Sequence, residues 1–193
     1  MYEAEVKFFD ADAGALKRRL TRLGATDLGE VRIARVAYFT PPPGSDYDRT
    51  RVRDRNGPQI THKIRIPHRK VKLALEDDLD FEGEYDGALR HVARLGCRRQ
   101  RMRYDLDKLR QSHELDVPFA FEGRACSEIV RVEFDYLVTP KGAPPIVELE
   151  RKSDDPVDKS VAALREAARI LGLDWRARSR LSTAKAQAMY LKA

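Results

Sequence analysis

Tyr2-Glu3-Ala4-Glu5-Val6-Lys7-Phe8 alternates charged and apolar side chains without a break. An extended strand points successive side chains to opposite faces. Glu3, Glu5 and Lys7 therefore share one face, and Tyr2, Ala4, Val6 and Phe8 the other. Two carboxylates on one face repel unless something positive lies between them, and a divalent cation is a common solution. The plainer reading is a half-buried strand whose ionic face meets water. Taken alone, the segment leaves both readings open.

The same alternation recurs along the chain. Arg49, Arg51 and Arg53 are separated by Thr50 and Val52, and Thr61, Lys63 and Arg65 by His62 and Ile64. Lys72, Ala74, Glu76, Asp78 and Asp80 alternate with Leu73, Leu75 and Leu79, with Asp77 interrupting the apolar row. Arg99, Arg101 and Arg103 alternate with Gln100, Met102 and Tyr104. Arg131, Glu133 and Asp135 alternate with Val132 and Phe134, and Glu148 and Glu150 with Val147 and Leu149. Each run has strand length and β-branched or aromatic residues, bounded by Gly, Pro or Asp. Ordinary solvated faces mix Thr, Ser, Gln, Lys and Glu. Here they are nearly all ionic, with Arg-rich and Glu-rich runs kept apart. A flat sheet with its ionic face in water needs only helices on the apolar side. A curled sheet brings the ionic faces together in a wide antiparallel barrel, where cations bind an anion and carboxylates a cation. The second geometry is favoured, because a polyphosphate with its metal needs both groups.

At 193 residues the chain suits one domain spanning 1–193. Charged residues make up 35% and the net charge is +6, which favours anionic partners. The basic residues form no run of five or six and no aromatic-interleaved helix, which argues against a dedicated nucleic-acid surface. No apolar stretch approaches the ~20 residues that span a bilayer, and residues 1–15 lack a signal peptide's apolar core. Cys97 and Cys126 have no CxxC spacing and read as reduced thiols, so a cytoplasmic location is expected. His62, His68, His91 and His113 have no His or Cys at ligand spacing. A metal would then be held by oxygen, which points to Mg2+ or Mn2+.

Four helices are expected between the strands. Asp10 or Asp12 caps the first, with Leu16, Leu20 and Leu23 on one side and an end near Gly24. The second places Tyr85, Leu89 and Val92 together and stops at Gly96. The third follows Asp155-Pro156, lines up Val157, Val161, Leu164, Ala168 and Leu171, and ends at Gly172. The fourth runs from about Arg176 to Leu191. Pro41 to Gly44 and Pro140 to Pro145 read as loops.

Glu3-x-Glu5-x-Lys7 resembles the ExExK signature of the CYTH superfamily, the triphosphate tunnel metalloenzymes. That superfamily includes class IV adenylyl cyclases, thiamine triphosphatases, inorganic triphosphatases and fungal RNA triphosphatases. The order of the later segments strengthens the likeness. A helix ends in Leu23-Gly24-Ala25, and an aromatic pair stands at Tyr38-Phe39. Thr50 to Arg53 is similar to the family's LRIR strand, Thr61-His62-Lys63 to its T-x-K strand, and Arg99 to Arg103 to its basic K-x-R strand. Phe134-Asp135 resembles the late aspartate, and Val147 to Glu150 the closing EIE.

The resemblance implies an α+β fold: an eight-stranded antiparallel β-barrel tunnel with an ionic interior and helices packed outside. A ninth strand would come from His113 to Phe121. By the same likeness Glu3, Glu5, Asp135, Glu148 and Glu150 would hold a divalent metal. Lys7, Arg51, Arg53, Lys63, Lys72, Arg99 and Arg101 would grip a triphosphate, with Glu5, Lys7 and Glu76 nearest the chemistry. A guanidinium fork suits bidentate phosphate oxygens and Lys acts as a point charge. There are departures. The family's central R-x-E-x-E strand reads Lys72-x-Ala74-x-Glu76, which removes a carboxylate and puts a second metal in doubt. Asp78 lies too far along the strand to replace it directly. Ala34 and Val36 stand where polar residues usually precede the aromatic pair. Gln111 to Cys126 is an extra stretch, either a strand or a lid.

The leading expectation is a metal-dependent hydrolase of tripolyphosphate, a nucleoside triphosphate or thiamine triphosphate, acting as monomer or homodimer. An adenylyl cyclase would use the same groups with a different substrate pose. A non-catalytic polyphosphate or nucleotide binder is the reading that Ala74 supports. Cross-strand salt bridging without catalysis is the structural alternative.

Overall fold

The computed structural model describes residues 1–101, 106–179, 183, 187, 190 and 191. Ten strands form one antiparallel sheet: β1 (Tyr2–Phe8), β2 (Thr26–Ile33), β3 (Val36–Thr40), β4 (Arg49–Asp54), β5 (Pro58–Ile66), β6 (Lys72–Asp80), β7 (Arg98–Arg99), β8 (Lys108–Phe121), β9 (Arg124–Leu137) and β10 (Ile146–Ser153). Their order is β2-β8-β9-β10-β1-β6-β5-β4-β3-β7. β1 lies at the centre, between β10 and β6, with Lys7 opposite Glu148 and Glu3 opposite Ala74. The order is open, since no ladder among the described residues joins β2 to β7. An α+β architecture with a large antiparallel sheet is therefore present, with ten strands in place of eight or nine.

The apolar parity of each strand builds the outer walls. Ala4, Val6, Phe8, Leu73, Val132, Phe134, Val147 and Leu149 pack in one cluster with α1 (Ala13–Arg22) and α3 (Val157–Leu171). Asp12 accepts a hydrogen bond from Ala15 N at 2.9 Å, capping α1. Leu16 and Leu20 are buried, but Leu23, expected on the same stripe, is the C-cap and lies exposed. α3 buries Val161, Leu164, Ala168 and Leu171 as the spacing predicts, and closes on Gly172 at φ 73°. α2 (Tyr85–Arg94) covers a second patch formed by Ala37, Phe39, Val52 and Ile60. No helix among the described residues is long and apolar enough to cross a membrane.

The structure corrects two expectations and decides a third. The basic strand placed at Arg99 to Arg103 is two residues long at Arg98–Arg99. Arg101 lies outside it, and Arg103 lies outside the described residues. Of the two readings of the extra stretch Gln111 to Cys126, the strand is present: His113 to Phe121 lies in β8, which pairs with β9 along 14 residues each. Glu122 and Gly123 turn that hairpin with φ 49° and 74°, the backbone a two-residue turn requires. The fourth helix does not start at Arg176, because Trp175–Ala177 is a single 3-10 turn and Ser179 bridges to Lys7. Thr183, Gln187 and Tyr190 are helical, while Leu181, Ala184 and Ala188 lie outside the described residues. β2 had no signal in the sequence. Its side chains are mostly exposed, and pairing with β8 holds it in place.

Candidate active site

The ionic parity of the strands faces inward. One cavity of about 90 Å3 is lined by side chains from nine of the ten strands, all but β7. A flat sheet cannot bring β2, β3 and β4 to the same cavity as β8, β9 and β10, so the sheet is strongly curled. Arg53 of β4 comes close enough to Arg110 of β8 for the two charges to oppose each other. Ile33, Val36, Leu106, Leu137 and Ile146 form an apolar cluster, and Phe9 and Tyr190 pack against it. Three of its members, Ile33, Val36 and Leu106, line the cavity. Thr183 also lines it and donates to Asp135 Oδ2 at 3.4 Å.

The acidic side is built by β9, β10 and β1. Oxygens of Glu133, Glu148 and Glu150 all lie within 4.8 Å of one another. Glu148 receives Lys7 Nζ at 2.5 Å and Arg110 Nη2 at 3.3 Å. Glu133 contacts Arg110. Glu150 is 7% exposed and has no hydrogen bond or ion pair among the described residues. Burial, then the neighbouring Glu3, Glu133 and Glu148, hold its carboxyl well above the ordinary carboxylate range. Burial and then Glu5 push Glu148 in the same direction. Three oxygen donors, one of them orphaned, fit a hard divalent cation better than any neutral occupant.

Of the five carboxylates assigned to a metal from the sequence, the structure gathers Glu148 and Glu150 with Glu133, which was not assigned. Asp135 stands apart. Arg110 bonds both its oxygens at 2.7 and 2.9 Å, and Lys108 contacts it too. These two cations hold the Asp135 carboxyl well below its usual value against the effect of burial. Glu5 lies on β1 between Lys7 at 2.8 Å and Lys72 at 2.5 Å. Glu3 lies 3.4 Å from Lys63 and 3.8 Å from Lys152. Glu76 contacts Lys63.

The basic side comes from β4 and β5. Arg49, Arg51, Arg53, Lys63 and Arg65 line the cavity, as Lys7 and Lys72 do from β1 and β6. Arg51 Nη2 donates to Thr61 Oγ1 at 3.2 Å, but its Nε is buried without a partner. Arg53 donates to Gln59 at 2.6 Å, with Asp78 at 3.9 Å. Burial and the adjacent Arg51 work against its charge. Burial, Arg65 and Arg51 do the same at Arg49, whose guanidinium lies 5.3 Å from the Tyr38 ring centroid. Arg99 and Arg101 are exposed and do not line the cavity. Lys108 and Arg110 take that place, from the strand that pairs with β9. The missed residues Glu133, Lys108 and Arg110 had a signal: each has the parity of an ionic run.

No family model and no curated protein matches the sequence. Solved structures do match. A Pyrococcus horikoshii OT3 protein is 22% identical with a TM-score of 0.66, covering 95% of this chain and 98% of that one. A Vibrio parahaemolyticus protein described as a candidate adenylate cyclase is 14% identical with a TM-score of 0.66, covering 98% of each chain. The chain has their fold. A Hippeastrum protein, described as a candidate adenylyl cyclase with a dominant triphosphatase activity, is 14% identical with a TM-score of 0.52 over 98% of this chain and 95% of that one.

Proposed function

We propose that this chain is a CYTH-type phosphohydrolase that cleaves a triphosphate with a bound divalent metal, Mg2+ or Mn2+, inside the curled sheet. One observation carries the reading. Glu150, a buried carboxylate with no hydrogen bond or ion pair among the described residues, and Arg51 Nε, a buried nitrogen with no hydrogen-bond partner among them, line the same cavity. A pure salt-bridge network would pair them or leave them to water, because an uncompensated buried charge costs several kcal/mol (roughly 3–5). A metal-bound polyphosphate offers each what it lacks. The folds shared with a protein described as a triphosphatase and one described as a candidate cyclase support the same substrate class.

Glu133, Glu148 and Glu150 would hold the metal. Bound there, it would neutralise phosphate oxygens as the terminal group departs. Arg49, Arg51 and Arg53 on one face of β4 present donors along a line, suited to a linear chain of phosphates. On binding, Lys72 would leave Glu5 for phosphate oxygens of equal charge. Binding is an exchange of anions around a lysine already partly desolvated, so part of the cost is met in folding. Glu5 and Lys7 hold Glu148 in position, and Glu76 is placed to orient a water through its contact with Lys63.

The test is a panel of tripolyphosphate, ATP and thiamine triphosphate with Mg2+, Mn2+ or chelator, reading phosphate, pyrophosphate and cyclic nucleotide together. Phosphate release that needs the metal is expected. Cyclic nucleotide with pyrophosphate would assign the cyclase instead, and affinity without turnover would assign a binding module.

A further inference from the structure

Among the described residues lining the cavity, three carboxylates stand outside the Glu133, Glu148 and Glu150 group, and each has a lysine. Glu5 has Lys72 at 2.5 Å and Lys7 at 2.8 Å. Glu3 and Glu76, on β1 and β6, share Lys63: its Nζ lies 3.4 Å from Glu3 Oε1 and also contacts Glu76 Oε1. Among the cavity-lining residues of β6, Glu76 is accompanied only by Lys72 and Ala74, so β6 adds no further oxygen donor there. Ala74 is the residue paired with Glu3 across the β1–β6 ladder, and its partner on β5 is Arg65, a further cation. Lys63 is 8% exposed; burial and then Arg51 lower its amine to about 7, while Glu3 works the other way. An ammonium and a divalent ion cannot share one pair of oxygens, because the like charges repel and the oxygens are already used. Glu148 has Lys7 and Glu133 has Arg110, but Glu150 beside them has no ion pair among the described residues and feels Lys152 and Arg131 only at a distance.

We propose that Lys63 Nζ fills the place between Glu3 and Glu76, so that the cavity takes up one divalent cation, on Glu133, Glu148 and Glu150, and not two. The inference rests on the metal-dependent reading above. Lys63 is then a positioning residue: it holds Glu3 and Glu76 at a fixed separation and supplies, as part of the chain, the second positive centre beside a bound phosphate chain. An ammonium has no vacant coordination position, so it can bond phosphate oxygens but cannot bind and acidify a water as a second metal would. The attacking water must then be oriented by a carboxylate or by the one metal.

Metal stoichiometry tests this without any assay of activity. Mn2+ is titrated into the purified chain and the free ion is followed by electron paramagnetic resonance. One Mn2+ per wild-type chain is expected, none at comparable affinity in Glu150→Gln, and one in Glu76→Gln. Lys63→Met frees Glu3 and Glu76 and is expected to take up a second, weaker Mn2+. Two ions in the wild type would overturn the inference while leaving metal dependence standing. No uptake by the wild type would remove the metal reading itself. A folded Lys63→Met that still binds one ion, or a Glu76→Gln that loses its ion, also overturns it. If Lys63→Met does not fold, the wild-type count and the Glu76→Gln count decide.

Discussion

Arg51→Ala separates a binding role from a structural one, because the two predict opposite changes. In the folded protein the Arg51 side chain makes one hydrogen bond, to Thr61 at 3.2 Å, and Thr61 keeps a shorter one to Asp78 at 2.6 Å. Losing that bond costs about 0.5–1.5 kcal/mol. Against it stands relief of like charge, since Arg51 is among the groups that oppose the charges of Arg53, Lys63 and Arg49. The net effect on folding is expected to stay within about 1 kcal/mol, or roughly 2–4 °C in melting temperature for a domain of this size. Binding is different. A charge-assisted contact to phosphate contributes about 1.5–3 kcal/mol, so tripolyphosphate should bind about 10- to 150-fold more weakly. Titration calorimetry with tripolyphosphate in chelator, where no turnover occurs, reads the second quantity, and scanning calorimetry reads the first. A large fall in melting temperature with unchanged affinity would refute the reasoning, because Arg51 would then be a structural member of the sheet.

Glu150→Gln should hold or raise the melting temperature, since burial and the neighbouring carboxylates oppose ionisation of Glu150, while abolishing both turnover and the stabilisation that Mn2+ gives the wild type. An unchanged Mn2+ effect on melting would reject Glu150 as a ligand. Arg110→Met strips the cation shared by Glu133, Asp135 and Glu148 and should cost about 3–5 kcal/mol in urea unfolding; wild-type stability would mean the buried network is not stabilising. Arg99→Ala with Arg101→Ala should leave KM and kcat as they are, because both side chains are outside the cavity, and a raised KM would restore them to the site. Asp155 accepts hydrogen bonds from Arg151, Lys159 and Ser153, which pull its carboxyl down to about 2. A lowered pKa adds stability above the unfolded value of about 3.9 and loses it as pH falls toward the folded one. The melting difference between wild type and Asp155→Asn should thus be largest above pH 5 and shrink below pH 4; a gap independent of pH would contradict the linkage.

Strand parity was legible in the sequence wherever a face is buried. Tyr2 to Phe8, Arg49 to Arg53 and Val147 to Glu150 each put the expected residues inside. Helix ends at Gly24, Gly96 and Gly172 were legible because a left-handed residue there favours glycine, and all three have positive φ. β2 was not, because its exposed side chains show no alternation and its place depends on a partner strand far away in the chain, β8, with Thr26 opposite Glu114 and Ile33 opposite Lys108. The basic run was misplaced for a related reason. Arg99-Gln100-Arg101 and Lys108-Leu109-Arg110 carry the same local pattern, and nothing local tells an inner strand from an outer turn. Glu133 and Asp135 have the same parity too. The cations that happen to reach Asp135 are what set it apart from the oxygens left for a metal.

By itself the sequence determined which side chains share a face, since two-residue periodicity is a property of the extended backbone and needs no partner. It also determined that these faces are ionic and unlike, acidic in some strands and basic in others. Only the tertiary structure decided which charges meet: Lys7 with Glu148, Lys63 with Glu3, Arg110 with Asp135, and Glu150 with none among the described residues. Those pairings come from strand order, register and curl of the sheet. These are set by contacts between distant parts of the chain, which no local pattern encodes.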